Sequence, residues 1–163
     1  MSDYSDDYLD GHEDEDTQKD KFLTFQLGKE DYGIEIKHVT EIVGIQKITD
    51  VPDMPDFIRG VINLRGQVIP VMDVRLRFRM DARDYDGRTC VVVVNIKGTA
   101  IGLVVDTVNE VADITPDQIS PAPQVNTDRS RYILGMGKIN GEVKILLDVD
   151  KLIYKDDLDK LAA

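Results

Sequence analysis

Residues 57–74 read Phe57-Ile-Arg-Gly-Val-Ile-Asn-Leu-Arg-Gly-Gln-Val-Ile-Pro-Val-Met-Asp-Val74, and residues 132–149 read Tyr132-Ile-Leu-Gly-Met-Gly-Lys-Ile-Asn-Gly-Glu-Val-Lys-Ile-Leu-Leu-Asp-Val149. Laid over one another at a shift of 75 positions, they share Ile58/Ile133, Gly60/Gly135, Gly66/Gly141, Val68/Val143, Asp73/Asp148 and Val74/Val149. That is six identities in eighteen positions, where average composition supplies about one. A second block agrees at a shift of 69, placing Tyr32–Val43 on Ile101–Ala112 with Gly33/Gly102, Val39/Val108 and Glu41/Glu110 identical. The six extra residues fall between the blocks, where the second copy has Ser120-Pro-Ala-Pro. Valine and isoleucine coincide by chance in any strand-rich chain. Paired glycines weigh more, because they mark positive φ or close backbone approach rather than burial. The chain reads as one small unit written twice.

Strand patterns surround these blocks. Leu23, Phe25 and Leu27 alternate, Gly28-Lys-Glu-Asp is a turn, and Tyr32, Ile34 and Ile36 resume the period of two. Ile36, Val39 and Val43 suit either a short helix or an irregular strand. A hairpin is expected about Arg65-Gly66, with Pro70 hinting at an edge or a bulge. Thr89–Ile96 is a β-branched run that reads as a strand buried on both faces, and Lys97-Gly98 turns it into Ala100–Val105. Asn140-Gly141 is the strongest hairpin signal in the chain. Only Asp148–Leu161 looks helical. The fold class expected is mainly β: two five-stranded barrels packed together, with short helical turns and a C-terminal helix. The first barrel would cover about 21–80 and the second about 88–147, with possible strand exchange near the C-terminus and the helix at 148–163. Each copy of about 60 residues is marginal alone and needs its twin.

The charge is uneven. Residues 1–20 hold nine acids against Lys19, leaving 22 acids and 19 bases for the rest of a chain whose net charge is −11. The segment 1–20 is therefore expected to be an acidic disordered tail. A nearly balanced body without clustered Lys and Arg is a poor nucleic-acid binder. No run approaches a membrane span, and the N-terminus lacks the features of a signal peptide. Cys90 has no partner for an internal disulfide, so a cytoplasmic setting is expected.

No catalytic or metal constellation assembles. His12 and His38 have no nucleophile nearby, and His12-Glu-Asp-Glu-Asp lacks the second histidine of a metalloprotease helix. Loose cation binding by that run is an alternative to a solvated tail. Gly135-Met-Gly-Lys resembles a phosphate loop only in part, since Ile139 replaces the hydroxyl that should follow the lysine. Cys90 reads as a buried small hydrophobe. Asp73 and Asp148 occupy equivalent places and suit capping at a strand exit better than acid–base work. Catalytic residues, metal ligands and cofactor sites are therefore none, and the chain is read as no enzyme.

The copies differ at their hairpin tips. Where the second has Asn140, the first has Arg65, a long cation that turn chemistry does not request. Glu41 is its natural partner. The pair is either a plain surface salt bridge of little worth or, beside Ile36 and Val39, an oriented patch that another protein recognises.

Phe22-Leu-Thr-Phe-Gln-Leu-Gly, Tyr32-Gly-Ile-Glu-Ile, Val39-Thr-Glu-Ile, Gly102-Leu-Val-Val-Asp and, above all, Phe57-Ile-Arg-Gly-Val-Ile-Asn-Leu-Arg-Gly resemble the CheW family, the coupling proteins of bacterial chemotaxis. The resemblance runs in order from about residue 20 to 155; the acidic tail has no counterpart in it. It implies SH3-like barrels and an adaptor that bridges the cytoplasmic tips of chemoreceptors to the regulatory domain of the histidine kinase CheA. By motif position it places Val39, Glu41, Gly60, Arg65 and Gly66 at or behind the receptor contact, with Ile36 beside them. It leaves the kinase-facing residues open. It further implies a free monomer in the cytoplasm, recruited to membrane-associated receptor arrays, with no nucleic acid and no direct membrane insertion. A receptor tip is a helical hairpin, so its apolar stripe is expected in a groove between the barrels. The alternatives are a homologue serving a kinase outside chemotaxis, or a small β protein that binds a ligand or cation.

Overall fold

In the computed structural model, which describes residues 18–123 and 128–153, the alternating runs become strands. They are β1 (Lys21–Leu27), β2 (Glu30–Glu35), β3 (Val39–Gly44), β4 (Ile58–Leu64), β5 (Gln67–Asp73), β6 (Cys90–Ile96), β7 (Thr99–Val105), β8 (Thr107–Asp113), β9 (Ile119–Ser120), β10 (Ile133–Ile139) and β11 (Glu142–Leu147). Two short helices, α1 (Val74–Arg77) and α2 (Val149–Ile153), follow the two halves of the duplication. The rest of the expected C-terminal helix, and residues 1–17 of the acidic tail, lie outside the described residues. Between β2 and β3 the chain makes one 3-10 turn, Ile36–His38, before the strand begins.

The strands form two sheets, β3-β6-β7-β5-β4 and β8-β1-β2-β11-β10-β9. The five-strand plan is thus repeated, with the short β9 added as a sixth strand in the second sheet. The contiguous division at residues 80–88 is not the division of the sheets. Hairpin β1–β2, from the first copy, sits in the sheet of the second, and β6–β7 sits in the sheet of the first. The exchange therefore involves the leading hairpin of each copy, not the C-terminus. Its cause is local: Asp106 alone joins β7 to β8, and one residue is too few for a hairpin turn, so β8 cannot fold back on β7. Each exchanged hairpin is anchored by a short parallel ladder, Val71–Asp73 with Gly102–Val104 and Lys144–Leu146 with Asp31–Gly33. These ladders match one another under the repeat.

Valines 91–94 are all buried, as expected of a strand covered on both faces, whereas Cys90 is only half-buried and its thiol faces the carbonyl of Arg88 at 3.3 Å. Cys90 stands at the strand's first residue, where the sheet no longer covers it. Pro70 is not at an edge, because β5 is paired on both sides. It faces Val61, whose N–H and C=O are turned away to Thr49 (2.9 and 2.8 Å), so β4 asks no N–H of it. A one-residue bulge does lie nearby, between Ile58 and Gly60 of β4.

One apolar cluster joins the sheets, with Leu23, Phe25 and Ile34 from one and Val92, Val94 and Leu103 from the other. Burying each such side chain contributes about 1.5–3 kcal/mol before chain entropy is counted. At the seam Arg77 lies over Phe57 (4.3 Å) and Tyr132 (5.0 Å), equivalent residues of the two copies, and its Nε donates to the carbonyl of Leu152, its own counterpart. Asp73 and Asp148 cap the two helices, accepting from the backbone N–H of Leu76 (3.4 Å) and Lys151 (3.1 Å). The partial phosphate-loop motif at Gly135 is simply strand β10.

Candidate partner-binding site

The tip of β4–β5 is a two-residue turn, Arg65-Gly66, with φ of +52° and +85°. Arginine has no preference for the left-handed region, and Asn63 offsets part of that cost: its side-chain oxygen accepts from the N–H of Gly66 at 2.9 Å. Held so, Arg65 reaches from the tip to β3 and donates to the carboxylate of Glu41. Hydrogen bond and charge together raise the guanidinium further above its usual range, so Arg65 stays charged at physiological pH. The Arg65 side chain is 72% exposed and that of Glu41 29%. Such a pair does little for stability; it presents an oriented charge at the surface.

Two apolar side chains of these strands are also exposed: Ile42, which follows Glu41 and so takes the other face of β3, at 42%, and Val68, paired with Asn63, at 64%. Ile36 and Val39 are half-buried at the margin of the main core, so only part of each side chain can meet a partner. Gly60 is different. It is buried, at φ +144°, and an added Cβ would lie 2.1 Å from the carbonyl oxygen of Thr49. Its task is to let Thr49 cross β4 closely. Gly135 does the same for Ser120 in the second copy.

The structure therefore joins Glu41 to Arg65, sets Gly66 in the same turn, puts Ile36 in the turn before β3 and Val39 at the strand's first residue, and leaves Gly60 behind the surface. Two features escaped the reading of the chain. Ile42 and Val68 looked like ordinary strand residues, and only the sheet order exposes them. Asn63 could have been found, since Asn95-Ile-Lys-Gly98 repeats its spacing and its bond, with Asn95 accepting from the N–H of Gly98 at 3.1 Å.

A groove of about 620 Å³ opens on the first sheet, lined by Ile48, Met54, Ile58, Arg59 and Tyr85 among others. Most of its lining is the connection between β3 and β4, with Ile58 and Arg59 at the start of β4. Tyr85 borders it and donates to the buried carboxylate of Asp73 at 2.7 Å; burial first, then that carboxylate, push the phenol up to about 12. Among the described residues no cluster of three or more His, Cys, Asp or Glu could hold a metal, and no helix is long and apolar enough to cross a membrane.

A family model described as a CheW-like domain matches residues 21–157. The chain belongs to the CheW-like family. The chemotaxis protein CheW of Klebsiella aerogenes is 40% identical over 144 residues, covering 88% of this chain and 87% of that one. CheW of Helicobacter pylori is 33% identical, with 83% and 82% covered. Among solved CheW structures, that of the scaffolding protein TtCheW from Thermoanaerobacter tengcongensis superposes with a TM-score of 0.78 at 36% identity, covering 85% of this chain and 94% of that one. The CheW-like match begins at β1, so the acidic segment before it is an addition to the shared domain.

Proposed function

We propose that the chain is a chemotaxis adaptor that couples the cytoplasmic tips of chemoreceptors to the histidine kinase CheA, working by binding and without catalysis. The observation that carries this is the CheW-like match across both sheets, residues 21–157. The receptor contact is Glu41, Arg65 and Gly66 with the exposed parts of Ile36 and Val39, and Gly60 shapes it from behind. The adaptor is monomeric when free, cytoplasmic, and joins receptor arrays at the membrane through its partners. Coupling needs only that its contacts to receptor and kinase differ in free energy between signalling states.

Reversing the charge with Arg65→Glu tests the site, because it sets two carboxylates against one another on an exposed turn that can still fold. Receptor-dependent activation of CheA should be lost while the circular dichroism spectrum is kept. Normal activation by the folded variant would sink the site assignment. A pull-down from native cytoplasm that brought neither a receptor nor a histidine kinase would sink the function itself.

A further inference from the structure

The chain passes between the sheets at two places, and the repeat makes them comparable. The first is the 3-10 turn Ile36–His38, which has no buried residue; there Lys37, 58% exposed, pairs with Glu35 at 3.4 Å. The second is Asp106, the position equivalent to Lys37 at the shift of 69, and it is buried. Its carboxylate takes the N–H of Gly28 at 2.8 Å, in the β1–β2 turn of one sheet. It takes Arg75 Nε and Nη2, both at 2.7 Å, from α1 at the end of the other. Arg83 Nη1 stands at 3.1 Å, and the N–H of Asp106 itself donates to the carbonyl of Gln26 at 3.1 Å. Burial pushes this carboxyl up, but the hydrogen bonds from Arg75 and Gly28 and the guanidinium charges outweigh it and hold the group below the usual carboxylate range.

An apolar core is non-directional and lets two sheets settle over a range of angles. Charge-assisted, bidentate bonds fix geometry. We infer that Asp106, gripped by Arg75 and Gly28, is a positioning residue that sets the angle between the two sheets. Among the described residues the crossing that carries Ile36 and Val39 has no buried clamp of this kind; the contact equivalent to Gly28 and Arg75 is the exposed pair Lys97–Asp150, at 3.8 Å. A partner bound there acts on the yielding connection between the sheets, and Asp106 is the fulcrum about which that action is passed on. This rests on the coupling function proposed above.

The test uses the full chain and Asp106→Asn, which keeps the shape and removes the charge, with Arg75→Gln as a second release of the same clamp. Residual dipolar couplings of backbone amides are fitted for each sheet, and receptor-tip binding and receptor-dependent kinase activation are measured on the same samples. In both variants each sheet should keep its own pattern while the two cease to share one alignment tensor. Binding of a soluble receptor-tip fragment should stay within roughly twofold, and activation should fall by on the order of tenfold. A shared tensor overturns the inference, as does normal activation despite divergent tensors, or binding that falls in step with activation. Loss of either sheet's own pattern also overturns it, since the clamp would then hold the fold rather than the angle. If the unaltered chain fails to activate any kinase, the coupling function fails, and the tensors still decide what Asp106 does.

Discussion

The tips of β4–β5 and β10–β11 are the same turn built from different residues. Arg65-Gly66 has φ of +52° and +85°, and Asn140-Gly141 has +51° and +79°. Asparagine enters the left-handed region at little cost, whereas arginine does so at more. The second tip thus satisfies its backbone, and the first accepts a poorer backbone residue for the charge it delivers to Glu41. Lys97-Gly98 is an internal control: a basic residue again takes a positive φ (+52°) where an asparagine two positions earlier pins the glycine. What sets the first tip apart is the acid it meets: Arg65 bonds to Glu41 of a strand, whereas Lys97 stands 3.8 Å from Asp150 of α2.

That contrast can be broken at its base by Gly60→Ala. A Cβ 2.1 Å from the Thr49 oxygen, at φ +144°, should cost about 3 kcal/mol or more through strain and overpacking. Gly135→Ala, whose nearest contacts are 2.7 and 2.8 Å, should cost less. Urea titrations of both variants decide, and equal losses would mean that the copies are held alike. Next comes the exchange of tips. Arg65→Asn should raise the thermal midpoint yet weaken receptor-tip binding by roughly tenfold or more, as loss of a central charged anchor does. The reciprocal Asn140→Arg should destabilise by about 0.5–1 kcal/mol and leave receptor binding unchanged. Calorimetry beside a binding titration reads both. The gentlest change is Asn63→Ala, which removes one hydrogen bond worth about 1 kcal/mol and frees the turn. It should weaken receptor binding severalfold with the Arg65 side chain intact, and unaltered binding would show that Glu41 alone places the guanidinium.

Much of this was legible in the chain. Paired glycines and aspartates located turns and caps, because those residues answer to local backbone demands that a sequence states directly. The hairpin exchange was not legible. Alternation tells which face a side chain takes, and nothing in it names the neighbouring strand; Ile34 looks the same whether its sheet is completed by β5 or by β11. Glu41 and Arg65 were found by comparing the copies, since a departure from good turn chemistry shows within one sequence. The exposure of Ile42 and Val68 follows from sheet order and could not be read before it.

The hairpin exchange also dictates how the chain can be made. As it leaves the ribosome, β1–β2 comes first, but its sheet needs β8 and β11, and Lys144 must reach back 113 positions to Asp31. A lone hairpin is barely stable in water. The first sheet can close once Val105 has emerged, while the earliest strands wait for almost the last. Closing so long a loop is slow; during synthesis the edge of β2 that receives β11 therefore stays unpaired longest, well after β8 has covered the other side of β1.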